Sequence, residues 1–124
     1  MAAVFVLSAD LMFGSRLLSS FTGAGHKAEL IGSEAALRER LSGLAHDRPA
    51  VLVADLTDDR FDGAATLESL RAESLLGSVR TLAFFSHVDT VVRERAQRSG
   101  FDLVVPRSRI AREAPALLDG LLAG

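Results

Sequence analysis

The thirteen residues VLVADLTDDRFDG, Val51 to Gly63, open as a continuous apolar run and close as four aspartates around one arginine. A short apolar run rich in valine and free of alternation reads as a strand buried on both faces. The run stops at Asp55. A carboxylate there has two readings. It is a chemical group delivered to the end of a central strand, or it terminates the strand by accepting hydrogen bonds from the turn that follows.

Working outward, the same pattern recurs along the chain. Strand-like runs lie at Ala3 to Ser8, Lys27 to Ile31, Ala50 to Asp55, Arg80 to Ser86 and Asp102 to Pro106. The first, third and fourth are apolar throughout and read as central strands; the more polar second run and the fifth, which ends in Pro106, read as edges. Between them apolar residues fall three or four apart. Phe13, Leu17 and Phe21 stripe a first helix, and Leu37, Leu41 and Leu44 a second with Ser33 at its N-cap. A third pattern runs from Gly63 to Gly77, a fourth from Val88 to Gly100, and a fifth carries Leu117, Leu118 and Leu121, with Pro115 at its first turn or at a kink. Five βα units joined by right-handed crossovers give an α/β fold: a doubly wound, five-stranded parallel sheet in a flavodoxin-like (βα)5 three-layer sandwich, strand order 2-1-3-4-5, one domain over residues 1–124. Ligands of such sheets bind beyond the strand C-termini, beside strands 1 and 3.

Composition narrows the chemistry. The 124 residues carry a formal net charge of −2 and no cysteine, which excludes a disulfide framework, a thiol nucleophile and cysteine-ligated zinc. The three histidines lie far apart, so no metal-ligand spacing appears. The apolar N-terminus lacks a basic leader and is interrupted by Asp10, and no run approaches the ~20 apolar residues of a membrane span. A soluble, cytoplasmic, non-enzymatic domain that contacts neither membrane nor nucleic acid is expected. The GAG of Gly23 to Gly25 follows a helix and not the first strand, so it is no dinucleotide fingerprint.

At the strand ends the sequence resembles the receiver domains of two-component response regulators, over essentially the whole chain. In that family the third strand ends in a phosphoacceptor aspartate with a glycine eight positions on; Asp55 and Gly63 keep that spacing, with Asp62 before the glycine. Ser86 stands where the family has Ser or Thr, and Arg107, seven residues after Gly100, where it has a lysine. The resemblance implies Asp55 as acceptor and Ser86 and Arg107 as phosphate contacts, with Arg107 within reach of Asp55. It also implies an acidic pair for Mg2+ at the end of strand 1, and Ser8 and Ala9 stand there instead. Asp10, with Asp58 and Asp59 from the neighbouring loop, is what remains to rebuild a metal site. Val104 replaces an aromatic switch residue, Asp59 replaces a proline, and an arginine fork does not reproduce a compact ammonium.

Other readings of these residues stay open. Ser86 fits a capping box with Asp89, His87 reads as an exposed helix-start residue, and Asp58, Asp59 and Asp62 as loop solvation. Between Arg93 and Arg112 six arginines face two acids, which makes the helix 4, strand 5 and helix 5 surface basic. Arg93, Arg95, Arg98, Arg109 and Arg112 mark it as a solvated helix surface or as a partner face. The function expected is a stand-alone receiver-like signalling domain of the phosphorelay type, degenerate and working by phosphorylation-independent protein-protein interaction. Its expected partners are other signalling proteins, a histidine kinase or a second copy. The alternatives are a competent phosphoacceptor on Asp55 and a small-ligand-binding flavodoxin-like module. No cofactor is expected, Mg2+ entering only if the acceptor site is rebuilt.

Overall fold

In a computed structural model, residues 1–45, 47–86 and 88–124 are described, and His87 lies outside them. Strands β1 (Ala3–Leu7), β2 (Lys27–Ile31), β3 (Ala50–Asp55), β4 (Arg80–Phe85) and β5 (Leu103–Pro106) form one parallel sheet in the order β2-β1-β3-β4-β5. They alternate with helices α1 (Leu11–Gly23), α2 (Glu34–Ser42), α3 (Gly63–Ala72), α4 (Thr90–Ser99) and α5 (Arg107–Ala123). The expected doubly wound architecture and strand order are observed, with β2 and β5 at the edges.

Successive strand residues point to opposite faces, so the sheet divides its core in two. Phe5, Leu7, Leu52 and Ala54 pack with Leu37, Leu41, Leu67 and Leu70 under α2 and α3. Val4, Val6, Val51, Val53 and Phe84 pack with Phe13, Leu17, Phe21, Ile110 and Leu118 under α1 and α5. Both clusters are buried, which explains the unbroken apolar runs of the central strands. β1 and β3 pair Val4 with Val51, Val6 with Val53 and Leu7 with Ala54. One step further, Ser8 comes opposite Asp55, and both share the parity of the α1/α5 face.

Most helices begin on a side chain that satisfies a first-turn N–H group. Asp10, Ser33, Asp62 and Asp89 accept from the backbone N–H of Phe13, Ala36, Ala65 and Val92 at 3.0 to 3.1 Å. Ser86 is not the cap of α4. Its carbonyl accepts from Asp89 N at 2.9 Å in a preceding turn, and the helix starts at Thr90 behind the stronger acceptor. The third helix stops at Ala72, short of Gly77, because the chain turns through Ser74 at φ 58°. α5 starts at Arg107 behind Pro106, which offers no side-chain cap, and it kinks at Glu113, two residues before Pro115.

β5 starts one residue later than its apolar pattern because Asp102 has another task. Its carboxylate accepts from Thr81 N at 2.7 Å and Thr81 Oγ1 at 3.1 Å, while Asp102 N donates to Thr81 Oγ1 at 3.0 Å. Thr81 is buried, so Thr81→Val leaves Asp102 N without its acceptor and takes one of two donors from the Asp102 carboxylate. A loss of about 1–2 kcal/mol is expected in urea unfolding, with an unchanged m-value.

Candidate functional site

The crevice beyond the strand C-termini is built on Asp55. Its side chain is 2% exposed and carries no cation within ion-pairing distance among the described residues. A buried carboxylate must be satisfied by donors. Ser8 Oγ donates to Asp55 Oδ2 at 2.6 Å. On the other oxygen, Thr57 N and Thr57 Oγ1 both donate to Oδ1, at 2.8 and 2.6 Å. Ser8 Oγ in turn accepts from Asp10 N at 3.0 Å, so a single hydroxyl ties the β1–α1 turn to the end of β3.

Thr57 is the residue that sequence reasoning missed. Its signal is the Asp-x-Thr spacing, Asp55 to Thr57, which lets one carboxylate oxygen take both the N–H and the hydroxyl two residues on. Asp55 thus ends its strand and accepts from the turn, as the second reading of its position has it. It ends a central strand at the switch point, and its carboxylate closes the turn that follows.

A cleft of roughly 620 Å³ lies above it, lined in part by Asp10, Thr57, Asp58, Ser86 and Arg107. Those residues are brought together as the strand ends required. Asp55 itself does not line the cleft and Asp59 lies exposed outside it. Arg107 does not pair with Asp55. Its Nη2 meets Asp10 Oδ2 at 3.3 Å, and its guanidinium lies 4.2 Å over the Phe13 ring, which steers the fork toward α1.

Of the acidic residues offered for a rebuilt Mg2+ site, Asp10 and Asp58 are engaged elsewhere and Asp59 is exposed outside the cleft. Asp10 caps α1 through Oδ1 and holds Arg107 through Oδ2. Asp58 accepts from Arg60 N at 2.9 Å and pairs with Arg60 Nε at 3.4 Å. Among the described residues no group of three or more His, Asp or Glu side chains is placed to hold a metal ion. Mg2+ requires near-octahedral oxygen ligation. With Ala9 contributing only a methyl group and both oxygens of Asp55 bound by hydroxyl and amide donors, this donor set does not fit it.

The basic residues divide into two groups. Arg95 pairs with Asp62 of the β3–α3 loop at 2.6 Å. That guanidinium holds the Asp62 carboxyl below its ordinary value. Arg98 lies beside Glu68 and Arg95 on the α3–α4 flank. Arg93 is exposed on α4, and Arg109 and Arg112 share Glu113 at 3.7 and 3.6 Å on α5. Val88 and Val91, 76% and 72% exposed, add apolar surface at the start of α4.

No protein-family model and no curated relative matches the sequence. Solved structures do match. The receiver domain of the TMAO respiratory system response regulator TorR is 22% identical, with 99% of this chain and 98% of that chain covered and a TM-score of 0.83. The signal receiver domain of a signal transduction histidine kinase from Syntrophus aciditrophicus is 16% identical, covering 100% and 92%, with a TM-score of 0.83. The receiver domain of a sensor histidine kinase from Pseudomonas aeruginosa PAO1, described with a magnesium ion coordinated in its active site cleft, is 11% identical, covering 99% and 98%, with a TM-score of 0.82. The chain has the fold of response-regulator receiver domains.

The Ser8 hydroxyl holds one side of Asp55 alone. Ser8→Ala leaves Oδ2 without its protein donor in a buried site, and a loss of about 1–3 kcal/mol is expected from thermal or urea unfolding. Thr57→Val should act on the same carboxylate, and the double variant should show non-additive loss when the two single costs are compared.

Proposed function

We propose that this chain is a degenerate receiver-like signalling module, in which Asp55 is a structural carboxylate and the domain acts by binding other proteins without being phosphorylated. The observation that carries the reading is the clasp of Ser8 and Thr57 on both oxygens of a buried Asp55. A carboxylate nucleophile needs a free lone pair in line with the incoming phosphorus and a cation to offset charge on the transferring oxygens. Here three donors 2.6 to 2.8 Å away, two on Oδ1 and one on Oδ2, take up most of its lone-pair sites, and the Arg107 guanidinium of the cleft is paired with Asp10.

The Pseudomonas aeruginosa domain supplies a contrast, since a magnesium ion is coordinated in its cleft. In this chain a serine and an alanine stand where receiver domains carry their metal-holding acids, so phosphorylation chemistry that depends on Mg2+ has no seat. The fold and a recognition face do not depend on those acids. Signalling therefore passes through the surface, and the domain is not an enzyme and works in the cytoplasm.

The surface best suited to recognition is that of α4, β5 and α5. Val88 and Val91 are exposed at the start of α4, and Arg93 on α4 and Arg109 and Arg112 on α5 carry positive charge. Apolar contact with arginine nearby is the usual composition of a protein interface. Another signalling protein, whether a histidine kinase or a second copy, fits that surface; nucleic acid fits it poorly, because no aromatic residue is interleaved with the charges.

Incubation with Mg2+ and acetyl phosphate, followed by intact mass measurement, tests this reading. No one-phosphoryl mass gain is expected in the wild-type chain. A gain that disappears in Asp55→Asn would establish the competent acceptor instead.

A further inference from the structure

The N-terminal end of the sheet, opposite Asp55, carries two adjoining depressions. One, of roughly 370 Å³, is lined in part by Arg71, Arg80 and Asp102. The other, of roughly 190 Å³, is lined in part by Leu41, Leu44, Leu75 and Arg48. They meet along the α3–β4 loop, where Ser74, Leu76, Gly77, Ser78 and Val79 line both. Arg71 Nη1 donates to Ser99 O at 2.9 Å and its Nη2 to Gly100 O at 3.2 Å, across the end of α4. Arg80 Nη2 donates to the main-chain oxygen of Gly124 at 2.6 Å. Neither has a side-chain carboxylate within ion-pairing distance among the described residues. Backbone carbonyls fix the plane of a guanidinium without cancelling its charge, and they leave most of its five N–H donors open. The Asp102 carboxylate is turned to Thr81 N and Oγ1. Two guanidinium groups against that one carboxylate leave a single positive charge in the larger depression.

The loop between the depressions adds donors. Val79 N donates to Leu76 O at 2.7 Å and closes a turn with Gly77 at φ 52°, a conformation that glycine permits. The central amides of that turn, Gly77 N and Ser78 N, have no backbone acceptor among the described residues. Successive open amides beside guanidinium groups favour an anion. The smaller depression is different in kind. Leu44, Leu75 and Val79 are only partly buried there against the core under α2 and α3, so an apolar group laid over them is removed from water. No acid lines it, and Arg48 disfavours a cationic occupant. A ligand that satisfies both halves is negative at one end and apolar along the rest.

We infer that the α3–β4 depressions form a reversible binding site for a small monocarboxylate with an apolar tail, its head group held by Arg71 and Arg80 and its tail laid over Leu44, Leu75 and Val79. A planar carboxylate matches the arginine fork in two parallel hydrogen bonds. One negative charge offsets the one left over beside Asp102, whereas a dianion meets repulsion from that carboxylate. Binding here makes and breaks no covalent bond. The site stands whether or not Asp55 accepts a phosphoryl group, because Arg71 lies at the end of α3 and Arg80 at the start of β4, away from the strand C-termini. It gives the domain a second input, in which a bound acid touches α3, β4 and, through Arg71, the end of α4.

Octanoate is the probe, titrated into the full chain while the amide NMR spectrum is followed, with acetate as the head group alone and octylammonium as the same tail under the opposite charge. Saturable shifts at the Gly77, Ser78 and Arg80 amides are expected for octanoate, with half-saturation at or below about 1 mM. Acetate and octylammonium are expected to show no saturation there up to about 20 mM. Arg80→Gln should weaken octanoate binding about tenfold. Ser78→Glu, a change on an exposed loop residue that leaves the core untouched, should weaken it at least as much by repelling the head group. Absence of saturation by octanoate up to about 20 mM, an equal response to acetate or octylammonium, or unchanged affinity in either variant would overturn the site. The acetyl phosphate experiment reads Asp55 at the other end of the sheet, so either result stands without the other.

Discussion

The sheet register between β1 and β3 governs the chemistry of this domain. It sets Ser8 opposite Asp55 at the top of the α1/α5 face, where both side chains are buried. A charge in that position is tolerated only if donors surround it, and the sequence supplies a hydroxyl from each side of the carboxylate. Everything above follows from that arrangement. The Ser8 hydroxyl orders the start of α1 by accepting from Asp10 N, Asp10 caps the helix, and its second oxygen draws Arg107 across Phe13.

One substitution pattern thereby has two consequences. An acidic residue at the end of β1 would repel Asp55 and require a cation between them. A serine removes the repulsion and supplies the hydrogen bond that the cation would have made unnecessary. On the proposed reading the site needs no metal, and its aspartate is part of the scaffold.

The fold was legible in the sequence because every strand of the centre is buried on both faces. Continuous runs such as AVFVL and AVLVAD leave a parallel sheet as the only economical arrangement, and polar KAELI and proline-ended LVVP mark the edges. β2 and β3 have the boundaries their patterns gave, while β1, β4 and β5 each differ by one residue where a polar side chain, Ser8, Ser86 or Asp102, sits at the end. The positions of the site were legible too, since topology alone carries Asp10, Asp58, Ser86 and Arg107 to one end of the sheet. Their partners were not. Whether Arg107 reaches Asp55 or Asp10, and whether Ser86 or Asp89 caps α4, depends on competition among nearby acceptors and on an aromatic ring contributed by α1. Spacing along the chain does not encode that competition.

The central claim is that both Asp55 oxygens are held by Ser8 and Thr57 and are closed to a divalent ion. Magnesium titration observed at the Asp55 side-chain carboxyl carbon and the Thr57 amide proton tests it directly. The account predicts that both signals stay in place up to about 10 mM Mg2+. A saturable shift of the two together, with loss of the Thr57 hydrogen bond, would contradict it.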